Sequence, residues 1–325
     1  MGKRVSKAAR DVSQNSRTLR TFKEISEQEY FAFIEGLKSG TPVFGSKGWL
    51  KADHSAILKF YGVFQGQELN SVFCFEEFKK ASFTILVNPW FSPHCGPWTD
   101  VKDVKDELFT ALDFLKDRNH DLQFRPDIPF DEEFKKDNNQ IRAKRTFELD
   151  LSNSKESLIF RMSANRKRVL KKFDPGRFSI RDITTEDLLP FFKNTSSQKN
   201  FKLDLSRLGY KLDAPISSYK VGLFKEGKLS GGIYLIADGN SAYYLGGGFE
   251  RKDKESSMFM TWLLWEGIMR AKDSNLQRFD FEGSEIDGIA DFYQRFGASE
   301  RNYISSSKVP SIFRKLQKLK SNLLG

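Results

Sequence analysis

Histidine and cysteine are scarce: the 325 residues hold three histidines, two cysteines and no Cys-x-x-Cys pair. That excludes a structural zinc site, which draws its ligands from those residue types, and it excludes a disulfide framework. Cys74 and Cys95 alone fit a reducing compartment. No run of about 18 uncharged apolar residues occurs, which rules out a membrane-spanning helix. Residues 1–20 are basic but lack the apolar centre of a secretory signal, so the expected location is cytoplasmic, with peripheral contact at the inner membrane face left open. With 39% hydrophobic and 30% charged residues the composition is that of a globular protein, and at about 100–200 residues per domain the length suits two domains.

The net charge of +10 sits at the two ends. Residues 1–20 carry six basic side chains against Asp11, and residues 308–325 carry five against none. Between them 42 basic residues balance 42 acidic ones. Two basic tails on a neutral body point to an anionic surface, phospholipid or RNA, or to solubility alone. A dedicated DNA reader is disfavoured, because its folded face would itself be basic.

The order of elements repeats. Ser26-Glu27-Gln28-Glu29 forms a capping box at the head of a helix, and strand-like runs follow at 56–65, 69–78 and 83–88. A helix over 100–117 and strands over 121–125 and 142–151 complete the first half. The second half has a helix over 186–192, strands over 218–225, 229–237 and 241–249, a helix over 257–272, a strand over 277–283, a helix over 288–296 and a strand over 298–305. Corresponding strands start 156 to 162 residues apart, without sequence identity between the halves, so the repeat is one of architecture. The pattern predicts an α/β chain with two mixed, mostly antiparallel sheets flanked by helices.

Four segments carry chemistry. The strand ending in Gly246-Gly247-Gly248 lets a ligand or another backbone approach closely, and the helix after it offers amides to an anion. In the next strand, alternation places Arg278, Asp280 and Glu282 on one face and Phe279 and Phe281 on the other. Two carboxylates about 6–7 Å apart raise one another's pKa and supply a base, unless Arg278 pairs with Asp280 and Glu282 caps a helix. A basic helix over 155–173 carries Arg166 inside its apolar stripe, where a guanidinium needs a structural partner or a ligand. The fourth segment, Asn88 to Trp98, is an aromatic, proline-stiffened loop, a substrate-facing loop or a wedge between domains. Its His94-Cys95 pair lacks a third orienting group and does not make a thiol nucleophile. Trp49, Trp262 and Trp265 read as packing residues.

The run Phe279-Asp280-Phe281-Glu282-Gly283-Ser284, followed by Gly288-Ile289-Ala290 and Phe296-Gly297-Ala298, resembles FemAB-like members of the GNAT acyltransferase superfamily. Arg145 to Leu151 with Ser163 to Arg168 is similar to the opening of their second domain, and Pro89 with Gly96-Pro97-Trp98 resembles their first-domain loop. The resemblance implies tandem GNAT-like domains, here 21–150 and 151–307, flanked by basic tails at 1–20 and 308–325. It implies attack by a substrate amine on a thioester or aminoacyl ester, with the donor where two central strands splay apart. Glu282, Asp280, Tyr244 and Tyr293 are the implied proton-handling residues, and Gly246, Gly247, Gly248, Arg251, Lys252, Ser284, Arg166 and Trp98 the implied binding residues. The donor is acyl-CoA or aminoacyl-tRNA, no metal is required, and the acceptor is an amine-bearing small molecule or cell-envelope precursor. Two departures bear on the donor: Glu250 to Ser256 lacks the glycine of a pyrophosphate loop, and no heptad-patterned helical hairpin is present. The alternative is a non-catalytic RNA- or membrane-surface-binding protein that keeps the fold.

Overall fold

The computed structural model describes residues 20–80, 83–125, 128, 130, 134, 140–198, 203–283 and 286–309. Nearly all of both basic tails, and Ser284, lie outside them.

The first half supplies strands β1 (Arg20–Glu24), β2 (Leu58–Gln65), β3 (Glu68–Lys80), β4 (Phe83–Val87), β5 (His120–Gln123) and β6 (Ile141–Asp150). The second half supplies β7 (Phe178–Asp182), β8 (Ser218–Lys225), β9 (Lys228–Ala237), β10 (Ser241–Phe249), β11 (Arg278–Asp280) and β12 (Ser299–Lys308). All twelve join one sheet in the order β1-β2-β3-β4-β5-β12-β6-β11-β10-β9-β8-β7. The pairs β4–β5 and β10–β11 are parallel and every other pair is antiparallel. The expectation of two sheets is thereby refined. Each half lays down five strands in sequence order and then lends its sixth to the other half, since β12 pairs with β5 and β6 pairs with β11. The two lent strands pair with each other from Ile141 to Glu148.

Helices cover both faces. On one face α1 (Glu27–Glu35), α2 (Lys47–Leu50), α6 (Thr185–Gln198) and α7 (Leu205–Leu212) bury a core shared by the halves, in which Tyr30, Phe44 and Trp49 meet Leu188, Leu208 and Tyr243. On the other face, α3 (Lys105–Leu115) packs on the first half. There α4 (Lys155–Arg161), α5 (Ala164–Leu170), α8 (Ser256–Asp273) and α9 (Asp287–Gln294) cover the second half. Trp49 and Trp262 are fully buried and bonded through their indole N–H groups to Ser92 and to the Val169 carbonyl, as packing residues should be.

Local rules explain most boundaries. Ser26 and Glu29 cap each other's backbone at the head of α1. Glu226 and Gly227, both left-handed, close the two-residue β8–β9 hairpin. The single helix expected over 155–173 is two helices. Met162 and Ser163 are extended, and the Ser163 hydroxyl accepts the Arg166 amide to start α5, the competition a serine offers against its own helix.

The exchange of strands has a measurable consequence. A fragment starting at Leu151 leaves β11 without β6 and β12 without either neighbour. It is expected to aggregate alone and to recover a monodisperse complex with residues 1–150. A sharp cooperative melt of the isolated 151–325 fragment would contradict the exchange.

Candidate active site at the strand splay

β10 and β11 pair only at Ser241–Arg278, Ala242–Phe279 and Tyr243–Asp280, and then part. Two local features open the gap. On β10 the register against β9 shifts between Tyr244 and Gly246, a bulge, and Gly246 and Gly247 follow at φ 141° and 156°. On the other side the Phe281 amide stays with the Phe147 carbonyl, after which Glu282 (φ 57°) and Gly283 (φ 67°) turn left-handed and carry the chain away from β10. Left-handed backbone at a glutamate is strained, and strain of this kind collects at functional sites. The Glu282 amide is held there by Asp280 Oδ1 at 2.8 Å.

A cavity of about 570 Å³ runs through the gap. Phe91, Phe192 and Thr195 lie on one side of the sheet, Met260, Phe292 and Tyr293 on the other, and Tyr244 to Phe249 and Phe281 to Gly283 form its rim. The Glu282 Oε1 atom is enclosed with no hydrogen-bond partner. Burial, then Asp280 and Glu148, raise this carboxyl well above the carboxylate range, so it is neutral. Tyr244 and Tyr293 meet edge to face at 6.4 Å, both pushed up by burial and so protonated.

Asp280 faces elsewhere. With Glu148, Arg278, Tyr243, His94 and Trp98 it lines a separate polar cleft of about 550 Å³. Alternation holds for Arg278 and Asp280 and fails at Glu282, because the left-handed turn rotates that side chain into the other cavity. Burial first, then Glu148, raise the Asp280 carboxyl to about 7, against hydrogen bonds from Thr146 Oγ1 (2.6 Å) and the Glu282 amide. Thr146 and Glu148 were not singled out as site residues from the sequence. Their signal was alternation on β6, whose importance appears only once β6 is seen beside β11.

The remaining expected site residues divide. Gly246, Gly247 and Gly248 line the cavity, yet their lack of side chains serves protein contacts: a Cβ on Gly247 would stand 2.2 Å from the Gly232 carbonyl oxygen, and one on Gly248 2.7 Å from that of Phe191 in α6. The close approach is therefore another backbone. Arg251 lies at the cavity mouth, while Lys252 is exposed outside it. At the start of α8 the Ser256 N–H is engaged with Asp253 O and the Met258 N–H with Glu255 O. Trp98 belongs to the polar cleft. Arg166 stands behind the cavity wall, its guanidinium 3.9 Å from the Phe292 ring centroid and bonded to Thr261 Oγ1, so it buttresses the wall and lines neither cavity. Ser284 falls outside the described residues.

Among the described residues, the corresponding gap of the first half is closed. Beyond Val87 and Asp121 the gap between β4 and β5 is stitched by Asn88, which donates to the Gln123 carbonyl and accepts the Gln123 amide, and by the Cys95 amide. The loop from Asn88 to Trp98 thus fills the space between β4 and β5, while its Phe91 lines the cavity at the β10–β11 gap and its His94 and Trp98 line the polar cleft. Burial pushes the Cys95 thiol up and the His94 imidazole down to about 3, the opposite of an activated thiolate pair.

No family model matches this sequence, and no curated protein does. Solved structures do match. The chain shares the fold of FemX. FemX superposes with a TM-score of 0.61 at 14% identity, covering 92% of this chain and 99% of that one. A conserved protein of unknown function from Bacteroides thetaiotaomicron gives 0.52 at 11% identity over 89% and 100%. L-PGS from Bacillus licheniformis gives 0.50 at 15% identity over 93% and 98%. At such identities the likeness speaks for the fold.

Proposed function

We propose that this chain is an N-acyltransferase, moving an acyl or aminoacyl group from a thioester or aminoacyl ester to a substrate amine. The observation that carries the reading is the cavity through the β10–β11 gap with the unpartnered Glu282 carboxyl enclosed beside it. A cavity lined from both sides of the sheet has room for a donor and an amine side by side, which is what direct transfer without a covalent enzyme intermediate requires. In this reading backbone amides at the Tyr244–Gly246 bulge hold the developing oxyanion. Glu282, neutral, donates a proton to the leaving thiolate or alkoxide. Asp280, bonded to the Glu282 amide and titrating near 7, lines the separate polar cleft, so in this reading the proton the amine sheds reaches it by way of Tyr244 and Tyr293, which line the cavity. Arg251, at the same cavity, is the proposed contact for donor phosphate. The glycine-free Glu250–Ser256 segment weighs against a coenzyme A pyrophosphate held in the usual manner and leaves aminoacyl-tRNA as the second donor. The acceptor is an amine-bearing small molecule or a cell-envelope precursor.

The test is titration calorimetry and turnover with acetyl-CoA, longer acyl-CoAs and charged tRNA, each with amine acceptors. One donor class should bind and turn over; silence from all would end the enzyme reading. With the active donor, Glu282→Gln should lower kcat by about 10²- to 10⁴-fold while donor binding and thermal melting stay unchanged. Unchanged kcat in that variant would remove Glu282 from the chemistry.

A further inference from the structure

The chain break at Met162–Ser163 builds a surface that the transferase reading does not use. Phe160, the last aromatic of α4, is 80% exposed, the most exposed of the large hydrophobic side chains among the described residues. From Ser157 to Phe173 the sequence contains no acid. Arg161, Lys167, Arg168, Lys171 and Lys172 surround or follow Phe160, and none forms an ion pair among the described residues. Lys167 ties the two helices together: its Nζ donates to the Phe160 carbonyl at 2.8 Å and lies 5.4 Å from the ring centroid. Helical spacing puts Lys171 on the face of Lys167, while Arg166 and Val169 turn inward. An exposed aromatic at the head of a cationic segment without acids of its own is complementary to a surface that is negative outside and apolar just beneath.

We infer that this face docks on an anionic phospholipid surface, with Phe160 inserted between headgroups and the cations over them. One aromatic on a convex helix end offers a wedge, and a stacking groove for RNA would need successive rings. The placement suits the cavity. The Ser163 amide donates to the Arg295 carbonyl at the end of α9, and Ile289 and Phe292 of the same helix line the cavity. Docking therefore sets the lipid at the C-terminal end of the helix that lines the cavity. The inference stands apart from the transferase reading, since lipid binding needs no turnover.

The experiment is co-sedimentation of the full chain with vesicles of phosphatidylcholine alone and of phosphatidylcholine mixed with phosphatidylglycerol. The wild-type chain should sediment with the mixed vesicles only and be released by salt. Phe160→Ser, which changes no charge and leaves the bond from Lys167 to the backbone carbonyl of residue 160 in place, should weaken binding about tenfold, and Phe160→Trp should retain it. Lys167→Glu with Lys171→Glu should weaken it further, at about fivefold for each cation removed. Wild-type affinity in both the serine and the double variant would place lipid binding in the terminal tails and overturn the inference. Tighter, Phe160-dependent binding of a single-stranded RNA than of vesicles would overturn it in favour of nucleic acid.

Discussion

Gly247→Ala is expected to destabilise the fold by about 3 kcal/mol or more, while Gly288→Ala, on the rim of the same cavity, is expected to be neutral or stabilising by up to about 1 kcal/mol. The difference is steric. At Gly247 (φ 156°) an added Cβ meets Gly232 O at 2.2 Å and Ile233 Cα at 2.8 Å. Both are backbone atoms of the adjacent strand, so no rotamer relieves the clash, and β10 must leave β9 to make room. That separation reaches the core on both sides of the sheet, because Tyr243 and Tyr244, on opposite faces of β10, belong to different hydrophobic clusters. Nothing lies within 4 Å of a Cβ on Gly288, the second residue of α9, where alanine reduces the entropy cost of the helix. Denaturant unfolding of the two variants measures the contrast. Equal midpoints would mean that β10 can shift its register without cost, and the fixed gap on which the site depends would be lost.

Much of this was legible in the sequence and some was not, for a physical reason. Local pattern located the strands and helices, and the spacing between the halves revealed the repeat, because both depend on neighbours a few residues apart. The exchange of β6 and β12 depends on pairing across more than 120 residues, as in Phe279 with Leu149, and no local pattern encodes it. Two-residue alternation paired Asp280 with Glu282 correctly in sequence and wrongly in space, since alternation presumes extended backbone and Glu282 is left-handed. The same limit hid the break at Ser163, where one hydroxyl bond outweighs a helical pattern on both sides. The triple glycine was read as room for a ligand or a backbone; the neighbours that use the room are β9 and α6, and the cavity is what remains beside them.

Asp280→Asn should make the protein more stable above neutral pH and much slower at transfer. The carboxyl is held at about 7 in the fold against an ordinary 3.8. It therefore binds its proton more tightly folded than unfolded. Its contribution is fully present below pH 4, is lost as pH rises toward 7, and stays lost above that. The gap corresponds to at most about 4 kcal/mol at pH 8, an upper bound that relaxation around the site will reduce. Asparagine carries no charge to desolvate, its Oδ1 can keep the bonds from Thr146 and the Glu282 amide, and its NH₂ can donate to the neighbouring Glu148. Its stability should fall less steeply than wild type between pH 4 and 8, by the part that Asp280 contributes, and converge with wild type at the acid end, which unfolding at several pH values would reveal. Parallel curves would mean that the carboxyl titrates normally. Kinetics supply the second half. If Asp280 receives the amine proton, the wild-type rate rises through a limb near pH 7, and the variant loses about 10²- to 10⁴-fold in kcat. Glu148→Gln removes the neighbouring charge that holds the carboxyl up, so its limb should move to lower pH with Asp280 still in place. A gain in stability matched by a loss of turnover is what a buried base costs its fold. A variant that gained stability and kept its rate would make Asp280 a structural acid, and the proton would have to leave by way of Tyr244 or Tyr293.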